Sequence, residues 1–388
     1  MDYELNEDQR NIREAVSRIC AKFGPDYWLK KDRDGGFPEE FYRAIADAGW
    51  LGIAMPEEYG GAGLGITEAA VLLQTISESG GAMSACSSVH MNIFGLNPVV
   101  VFGNEDQKRR MLPPLIRGEV KACFAVTEPD AGLNTTKIKT RAVRDGDRYL
   151  ISGHKVWIST AQVADNVLIL ARTTPIEEVK KPTEGLSLFY TKLDRRYVEI
   201  REIDKMGRKA VDSNELFIDN LPCAVEDRIG EEGKGFQYVL HGMNPERIFV
   251  AAEAIGAGRA ALARAVQYAK DRVVFDRPIG MNQGVQHPLA QNWADLEAAN
   301  HMAFCAASLY DKGKPCGSEA NAAKLLASVA ALKTCQQAIL THGGYGYAKE
   351  YHVERLMREV MILYIAPISP QLVLSNIAEK KLGLPKSY

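Results

Sequence analysis

Residues 148–159 read RYLISGHKVWIS, a short run of β-forming residues that predicts a strand. Similar runs follow it: NVLILART (166–173), LSLFYTKL (186–193), YVEIREI (197–203) and NELFIDNL (214–221). Turn signals such as Asp145-Gly146 and Asp219-Asn220 separate them. The segment TTPIEEVKKPTEG (173–185) is charged and Pro-bearing, and we expect an exposed loop there. These features predict an antiparallel β domain over residues 121–230.

Helical patterns flank this β domain on both sides. Before it, segment 6–22 has apolar residues at helical spacing, and PEEFYRAIADAG (38–49) and ITEAAVLLQTISES (66–79) follow. After it come three long segments, AAEAIGAGRAALARAVQYAKDR (251–272), QHPLAQNWADLEAANHMAFCAASLYDKG (286–313) and EANAAKLLASVAALKTCQQAILTHGG (319–344). Segregated helices and strands predict an α+β chain with a helical domain at 1–120, the β domain at 121–230 and a second helical domain at 231–388.

Composition excludes several classes of function. The 388 residues include 47 basic and 49 acidic side chains, a net charge of −2 without long blocks of one sign. Such a chain has no electrostatic footprint for nucleic acid or a membrane surface. The seven cysteines are scattered and never spaced as C-x-x-C, which argues against a disulfide framework or zinc knuckle and favours a reducing compartment.

The sequence shows no clear targeting or membrane signal. The start, MDYELNEDQRNIREAV, is acidic and amphipathic, unlike a secretory signal or a transit peptide. No apolar run approaches the ~20 residues that a bilayer requires. We therefore expect a cytoplasmic protein without membrane insertion.

Two glycine motifs imitate nucleotide-binding loops. Residues 256–261 fit G-x-G-x-x-A, and Asp276 lies about 20 residues further on. However, the surrounding pattern is continuously helical, which favours small residues that let two long helices pack closely. The run at 60–65, GGAGLG, lacks the Lys-Ser/Thr ending of a P-loop and is interpreted as a flexible connection.

Individual site candidates are ambiguous. Seven histidines without metal-ligand spacing, and no G-x-S-x-G, argue against a metal centre or a serine hydrolase. Glu128, Trp157, Arg272 and the H-G-G-Y-G turn at 342–346 each have structural interpretations as well: the Trp in a core, the Arg solvated on a helix, the glycines as a helix C-cap.

Taken together and in order, the motifs are specific. The chain carries Y-G-G-x-G (59–63), F-A-V-T-E-P-D-A-G (124–132), K-V-W-I-S (155–159), R-x-x-F-x-x-P-I-x-x-x-Q (272–283), G-G-Y-G (343–346) and R-L-M-R-E (355–359). This series resembles the acyl-CoA dehydrogenase family from about residue 6 to 380. The resemblance implies an N-terminal helical domain, a middle β domain and a C-terminal four-helix bundle.

The resemblance also implies an FAD site between the β domain and the bundle. The positions that match the family's FAD contacts are Phe124, Val126, Thr127, Gly132, Trp157, Ser159, Arg272, Phe275, Gln283, Gly343, Gly344, Ser369 and Gln371. Trp157 and Ser159 would cover one side of the isoalloxazine ring. Arg272 would pair with the diphosphate at the boundary with a neighbouring subunit of a homotetramer.

The implied reaction is α,β-dehydrogenation of an acyl-CoA thioester in fatty-acid β-oxidation, with electrons passing to electron-transfer flavoprotein. A carboxylate removes the α-proton and flavin N5 takes the β-hydride. Two alternatives remain open: an acyl-CoA oxidase or reductase of the same family, and a flavin- or acyl-CoA-binding homologue without catalysis.

The catalytic base departs from the commonest family pattern. Counting from Arg358, the usual glutamate falls on Pro367, which has no carboxylate. Isovaleryl-CoA and long-chain members instead place the base directly before an arginine, and here that dipeptide is Glu246-Arg247. Asn244 and Arg247 are then expected to contact substrate. The competing interpretation is a helix start, with Asn244 as the cap and Glu246 favouring the positive helix end.

Overall fold

A computed structural model describes residues 4–387 in three parts, helical, β and helical. The helices are α1 Glu7–Cys20, α2 Pro25–Asp34, α3 Glu39–Asp47, α4 Ile66–Ile76, α5 Ala82–Phe94, α6 Asn97–Phe102, α7 Glu105–Ile116, α8 Gly235–His241, α9 Met243–Asp271, α10 Gln283–Asp311, α11 Gly317–His342, α12 Val353–Ile365 and α13 Pro370–Lys380. The strands are β1 Ala122–Ala125, β2 Arg141–Asp145, β3 Arg148–Ser159, β4 Asn166–Arg172, β5 Leu186–Lys192, β6 Val198–Glu202, β7 Ser213–Ala224, β8 Arg228–Ile229, β9 Val273–Val274 and β10 Arg277–Pro278. The predicted helix–strand–helix order and fold class are confirmed.

The β domain is one eight-stranded sheet in the order β6-β7-β3-β2-β4-β5-β8, with β1 also paired to β4. Most neighbours are antiparallel, but β1 runs parallel to β4 and β2 touches β4 in parallel. The predicted antiparallel β domain is therefore confirmed for most strand pairs, and β1 is added in parallel. β1 and β2 share one edge of β4, at residues 166–169 and at Arg172, and β5 pairs along the other edge.

One predicted turn in this sheet is wrong. Asp219-Asn220 lies inside β7 and does not separate two strands. The pairing of β3 with β7 shifts register between Ile151 and Gly153, and Asn220 adopts a φ of 52°. Asparagine tolerates this left-handed conformation, so a residue typical of turns here forms a bulge within a continuous strand.

The C-terminal domain is a bundle in which α9, α10, α11 and α12 pack on one another, and α4 and α5 of the first domain pack on α9. Gly256 and Gly258 lie within α9, as expected for close helix packing and not for a nucleotide loop. A Cβ on Gly256 would lie 2.5 Å from the Gln74 carbonyl oxygen, and one on Gly258 would lie 2.7 Å from Leu296. These two contacts explain why the helix accepts glycine there.

The glycine-rich connection at 60–65 is not a loose linker. Backbone N–H groups of Gly63 and Leu64 donate to the carbonyls of Met55 and Ile53 at 2.8 and 3.0 Å. A Cβ on Gly61 would lie 2.1 Å from the Met55 carbonyl oxygen. The interpretation as a flexible connection is therefore wrong, because the glycines permit a tightly bonded turn.

Two helical stretches, Ile66–Phe102 and Val353–Lys380, are apolar enough to cross a membrane by length and composition alone. Neither is one straight helix: the first contains α4, α5 and α6, and the second breaks between α12 and α13. Helices of 11 to 13 residues reach about 20 Å, short of the ~30 Å hydrocarbon layer.

Candidate active site

Glu246 lies in the first turn of α9, which begins at Met243 with Gly242 as its N-cap. Asn244 is therefore not the cap, contrary to the helix-start interpretation. Its side-chain oxygen accepts a hydrogen bond from Arg247 Nη1 at 3.1 Å, so it orients the arginine beside Glu246. The Glu246 side chain is 26% exposed, which leaves its carboxylate partly accessible within a mostly buried helix.

The Glu246 carboxylate is held from the first domain by His90 of α5. His90 Nε2 lies 2.9 Å from Glu246 Oε2, and His90 Nδ1 lies 2.8 Å from Glu253 Oε1. Glu253 is two turns further along α9 and only 1% exposed. One imidazole thus bridges two carboxylates on the same helix face, and the ring also packs edge-on against Phe249.

The charges in this cluster favour ionised groups. Burial acts to lower the pKa of His90, but the two carboxylates outweigh it and raise that pKa well above its usual value. Burial acts to raise the pKa of Glu246, but the charge and hydrogen bond of His90, with a smaller effect of Arg247, lower it. The directions of these two shifts favour a protonated His90 beside an ionised Glu246.

The charge of Arg247 acts on Lys324, which supports the turn that holds Pro367. The turn between α12 and α13 receives the buried Lys324 of α11, whose Nζ donates to the carbonyls of Tyr364 at 2.9 Å and Ile368 at 2.8 Å. Burial, and then the charge of Arg247, lower the pKa of Lys324 to about 8. The arginine after Glu246 and the vacant family position therefore belong to one electrostatic neighbourhood.

The FAD-contact candidates of the β domain lie on β1, β3 and the segment between β1 and β2. Thr127 Oγ1 donates to the Val156 carbonyl at 2.5 Å and ties the two together. A register shift between Lys155 and Ile158 in β3 accompanies a φ of 63° at Trp157, and this residue is 60% exposed. The bulge thus turns a large aromatic side chain outward. Ser159 accepts a hydrogen bond from Arg208 Nη2 at 3.0 Å.

Glu128, ambiguous in sequence, has a structural role. Its carboxylate accepts the backbone N–H groups of Lys139 and Thr140 and forms a buried ion pair of 3.0 Å with Lys155 Nζ. Lys155 also donates to the Val126 carbonyl at 2.8 Å. This pair fixes the backbone on which Phe124, Val126 and Thr127 lie; Phe124 and Val126 are half-buried and pack against the adjoining core.

A second group of candidates lines a cavity of about 450 Å³ between the ends of α9 and α11. It contains Arg272, Gly343 and Gly344. The Arg272 guanidinium lies 5.7 Å from the Tyr345 ring centre, and among residues 4–387 it has no carboxylate partner. A Cβ on either glycine would meet nothing within 4 Å, so the backbone there is open to a ligand.

The remaining candidates are placed as follows. Phe275 is 93% exposed next to the β9–β10 hairpin, Gln283 begins α10 with an exposed side chain, and Gly132 is exposed. Ser369 is the N-cap of α13 and its hydroxyl accepts the Leu372 N–H at 3.3 Å. Gln371 is exposed in the first turn of α13. The described chain therefore presents these residues at surfaces that it does not itself cover.

Sequence reasoning missed His90 and Glu253. His90 is 156 residues from Glu246 in the chain, and only the packing of α5 on α9 brings them together. A signal existed for Glu253: it is a carboxylate within AAEAIGAG, seven residues after Glu246 and hence on the same helix face.

Comparison with known proteins gives this geometry a family. The N-terminal, middle and C-terminal domain descriptions of acyl-CoA dehydrogenase match residues 6–119, 123–221 and 233–380. The chain belongs to the acyl-CoA dehydrogenase family, whose members are FAD-dependent oxidoreductases.

Similar proteins cover the whole chain. Acyl-CoA dehydrogenase FadE12 of Mycobacterium tuberculosis is 37% identical over 388 residues, covering 99% of this chain and 98% of its own. The caffeyl-CoA reductase-Etf complex subunit CarC of Acetobacterium woodii is 33% identical over 382 residues, 97% and 100% of the two chains. Butyryl-CoA dehydrogenase of Megasphaera elsdenii superimposes with a TM-score of 0.93 at 29% identity, covering 98% and 100%.

The residues present fit FAD. An outward-turned Trp157 suits a planar ring, and the guanidinium of Arg272 suits a diphosphate. The open backbone at Gly343 and Gly344 in the same cavity permits the close approach of a large ligand.

Proposed function

We propose that the protein oxidises an acyl-CoA thioester between Cα and Cβ, with Glu246 as the base that removes the α-proton. The observation that carries this proposal is the Glu246 carboxylate beside Arg247, which stays partly accessible although His90 holds its Oε2, whereas other buried acids are committed to structural contacts. Glu128 is committed to Lys155, and Glu359 accepts from Ser84 and pairs with Arg355. The family position at Pro367 offers no carboxylate.

Each nearby group has a role in this reaction. His90 fixes Glu246 Oε2, so the other carboxylate oxygen takes the proton. Arg247, oriented by Asn244, holds a positive charge near the thioester and favours the negative charge that develops as the proton leaves. FAD, when bound, supplies the hydride acceptor for Cβ. The positions proposed to hold it are the thirteen that the resemblance assigned, with Trp157 against the ring and Arg272 on the diphosphate.

We further propose electron-transfer flavoprotein as the acceptor and a homotetramer as the assembly, in a cytoplasmic β-oxidation enzyme. The name of the relative CarC as a subunit of an Etf complex supports the acceptor. Exposed apolar side chains near the Arg272 cavity support the assembly; Phe275 is 93% and Leu340 63% exposed. Sedimentation of FAD-loaded protein tests it, and a monomer with full FAD content would contradict it.

The test of the base is anaerobic bleaching of the bound flavin by a panel of straight and branched acyl-CoAs. We expect Glu246→Gln to retain FAD and to lose bleaching by at least ~10³-fold, the size of a general-base effect. Glu177→Gln, in the exposed loop after β4, is the control and keeps the wild-type rate. Near-normal bleaching by Glu246→Gln refutes the assignment.

A second candidate function is a reductase or oxidase of the same family. The relative CarC is named a reductase, which favours keeping it. Rapid peroxide release in air would identify an oxidase, and reoxidation of reduced protein by an enoyl-CoA without bleaching by the saturated thioester would identify a reductase. No flavin response to either thioester class would identify a binding homologue.

A further inference from the structure

We propose that His90 is a positioning residue that holds Glu246 in place as the base, and that Glu253 balances the charge of His90 and so limits how far His90 weakens that base. The inference rests on the proposed function of Glu246. Neither His90 nor Glu253 is needed to bind FAD or CoA in the proposal above. Their proposed role is to hold and balance the charge of the Glu246 carboxylate: His90 contacts Glu246, and Glu253 contacts His90.

The geometry makes this support specific. Both ring nitrogens of His90 carry a carboxylate oxygen within 2.9 Å, which is the arrangement of an imidazolium that donates twice. Glu253 is buried at 1% exposure, and His90 is its side-chain hydrogen-bond partner among the described residues. A buried acid with one such side-chain partner is best accommodated when that partner is a cation.

Other charges face the cluster from the elements around it. On α9, Arg247 acts on Glu246. On α5, burial and then the charge of Glu253 raise the pKa of Cys86, so Cys86 stays a neutral thiol. The pKa of Arg208, in the loop before β7, is lowered by burial, and the charges of Asp212, Glu359 of α12 and Glu253 partly offset this. Lys324 of α11 reaches the cluster through Arg247. His90 is nevertheless the cation in hydrogen-bond contact with both carboxylates.

The proton balance follows from this arrangement. The Cα–H bond breaks and an O–H bond forms on Glu246, while the freed electron pair forms the Cα=Cβ bond as Cβ loses hydride to the cofactor. His90 keeps its proton, and its charge remains balanced by Glu253. Without Glu253, the newly neutral Glu246 would lie beside an uncompensated buried cation. Glu253 therefore limits how far His90 weakens the base.

The test is the pH dependence of anaerobic flavin reduction by an acyl-CoA that bleaches the wild type. His90→Gln removes the positive charge and leaves burial to raise the pKa of Glu246, so the acid limb moves to higher pH by at least ~1 unit. Glu253→Gln removes only the compensating anion, so the uncompensated His90 cation moves the limb to lower pH. His154→Gln is the matched control, because His154 also pairs with a carboxylate, Glu215 at 3.0 Å, but lies on the β sheet and not beside Glu246.

The opposite behaviour of the two variants distinguishes charge from general damage. An acid limb that does not move to higher pH in His90→Gln, or that does not move to lower pH in Glu253→Gln, overturns the inference. If His90→Gln fails to fold, Glu253→Gln alone still decides. Glu246→Gln separates the two proposals: bleaching retained there defeats the base itself, whereas bleaching lost there with an unshifted His90→Gln limb defeats only the support.

A readout without turnover is the pH dependence of thermal unfolding. A raised His90 pKa stabilises the fold below the ordinary value and that contribution is lost as pH rises through the folded value. We expect wild-type protein to lose this contribution at alkaline pH and His90→Gln to lack it at every pH. Identical unfolding profiles of the two proteins contradict a protonated His90.

Discussion

The buried pair of Lys155 and Glu128 gives an asymmetric double-mutant experiment. Burial outweighs the attraction of Glu128 and lowers the pKa of Lys155 from 10.5 to about 8, so holding its charge at neutral pH costs about 3 kcal/mol. When Glu128 is neutralised, the lysine can avoid this cost by losing its proton. Lys155→Met instead strands the Glu128 carboxylate on two backbone N–H groups, and we expect a loss of about 3–5 kcal/mol.

The reverse change is milder. Glu128→Gln keeps an acceptor for the backbone and lets Lys155 become neutral, so we expect a loss of about 1–3 kcal/mol. Lys155→Met/Glu128→Gln should be more stable than Lys155→Met alone, because no buried charge remains. The assay is urea unfolding at fixed protein and FAD concentration, with flavin content of the native protein as a second measurement. Losses that simply add in the double variant would refute the argument.

Three further predictions concern other parts of the chain. Gly256→Ala gains about 1 kcal/mol of helix propensity but drives a Cβ to 2.5 Å from the Gln74 carbonyl, so overpacking of about 1–3 kcal/mol should lower the urea midpoint; an unchanged or higher midpoint contradicts this packing. Burial, with smaller effects of Arg264 and Arg355, lowers the pKa of His352 to about 4, so as pH falls below 6.5 the unfolded state binds a proton first and up to about 3 kcal/mol of stability is lost by pH 4. His352→Asn tolerates the φ of 64° at this position and should reduce the dependence of the unfolding free energy on pH in this range. An unchanged pH dependence would show that other groups cause it. Arg272→Gln should weaken FAD retention on dilution at least about tenfold, which is the effect of one lost charge-assisted hydrogen bond. Arg141→Gln, at an exposed arginine of β2, is the control and should retain FAD as the wild type does. Equal FAD retention by the two variants would remove Arg272 from the FAD site.

The layout of the chain could be predicted from sequence because it depends on local periodicity and on ordered motifs. The helix containing Gly256 was recognisable from continuous Ala-rich spacing, which the structure confirms as α9. Asn220 was misjudged because asparagine serves turns and bulges equally well, and only the register against Gly153 distinguishes them. The loop at Gly61 was misjudged because its bonds reach back to residues 52–56.

The candidate base could be selected from sequence, but its surroundings could not. Glu246-Arg247 is a contiguous dipeptide, whereas His90 reaches Glu246 only through packing of two helices far apart in the chain. A lone histidine in SSVHMNIF carries no spacing that marks a carboxylate partner. Its pairing with Glu246 depends on the tertiary structure.

The bridge from α5 to α9 has a consequence for protein engineering. The residue that holds the carboxylate comes from one module and the carboxylate itself from another, so the two modules cannot be exchanged independently between homologues. A chimaera that keeps His90 but takes a bundle with glycine or alanine at position 253 would place a half-paired imidazole in an apolar interface. Grafts between relatives should therefore transfer His90, Glu246 and Glu253 as one unit.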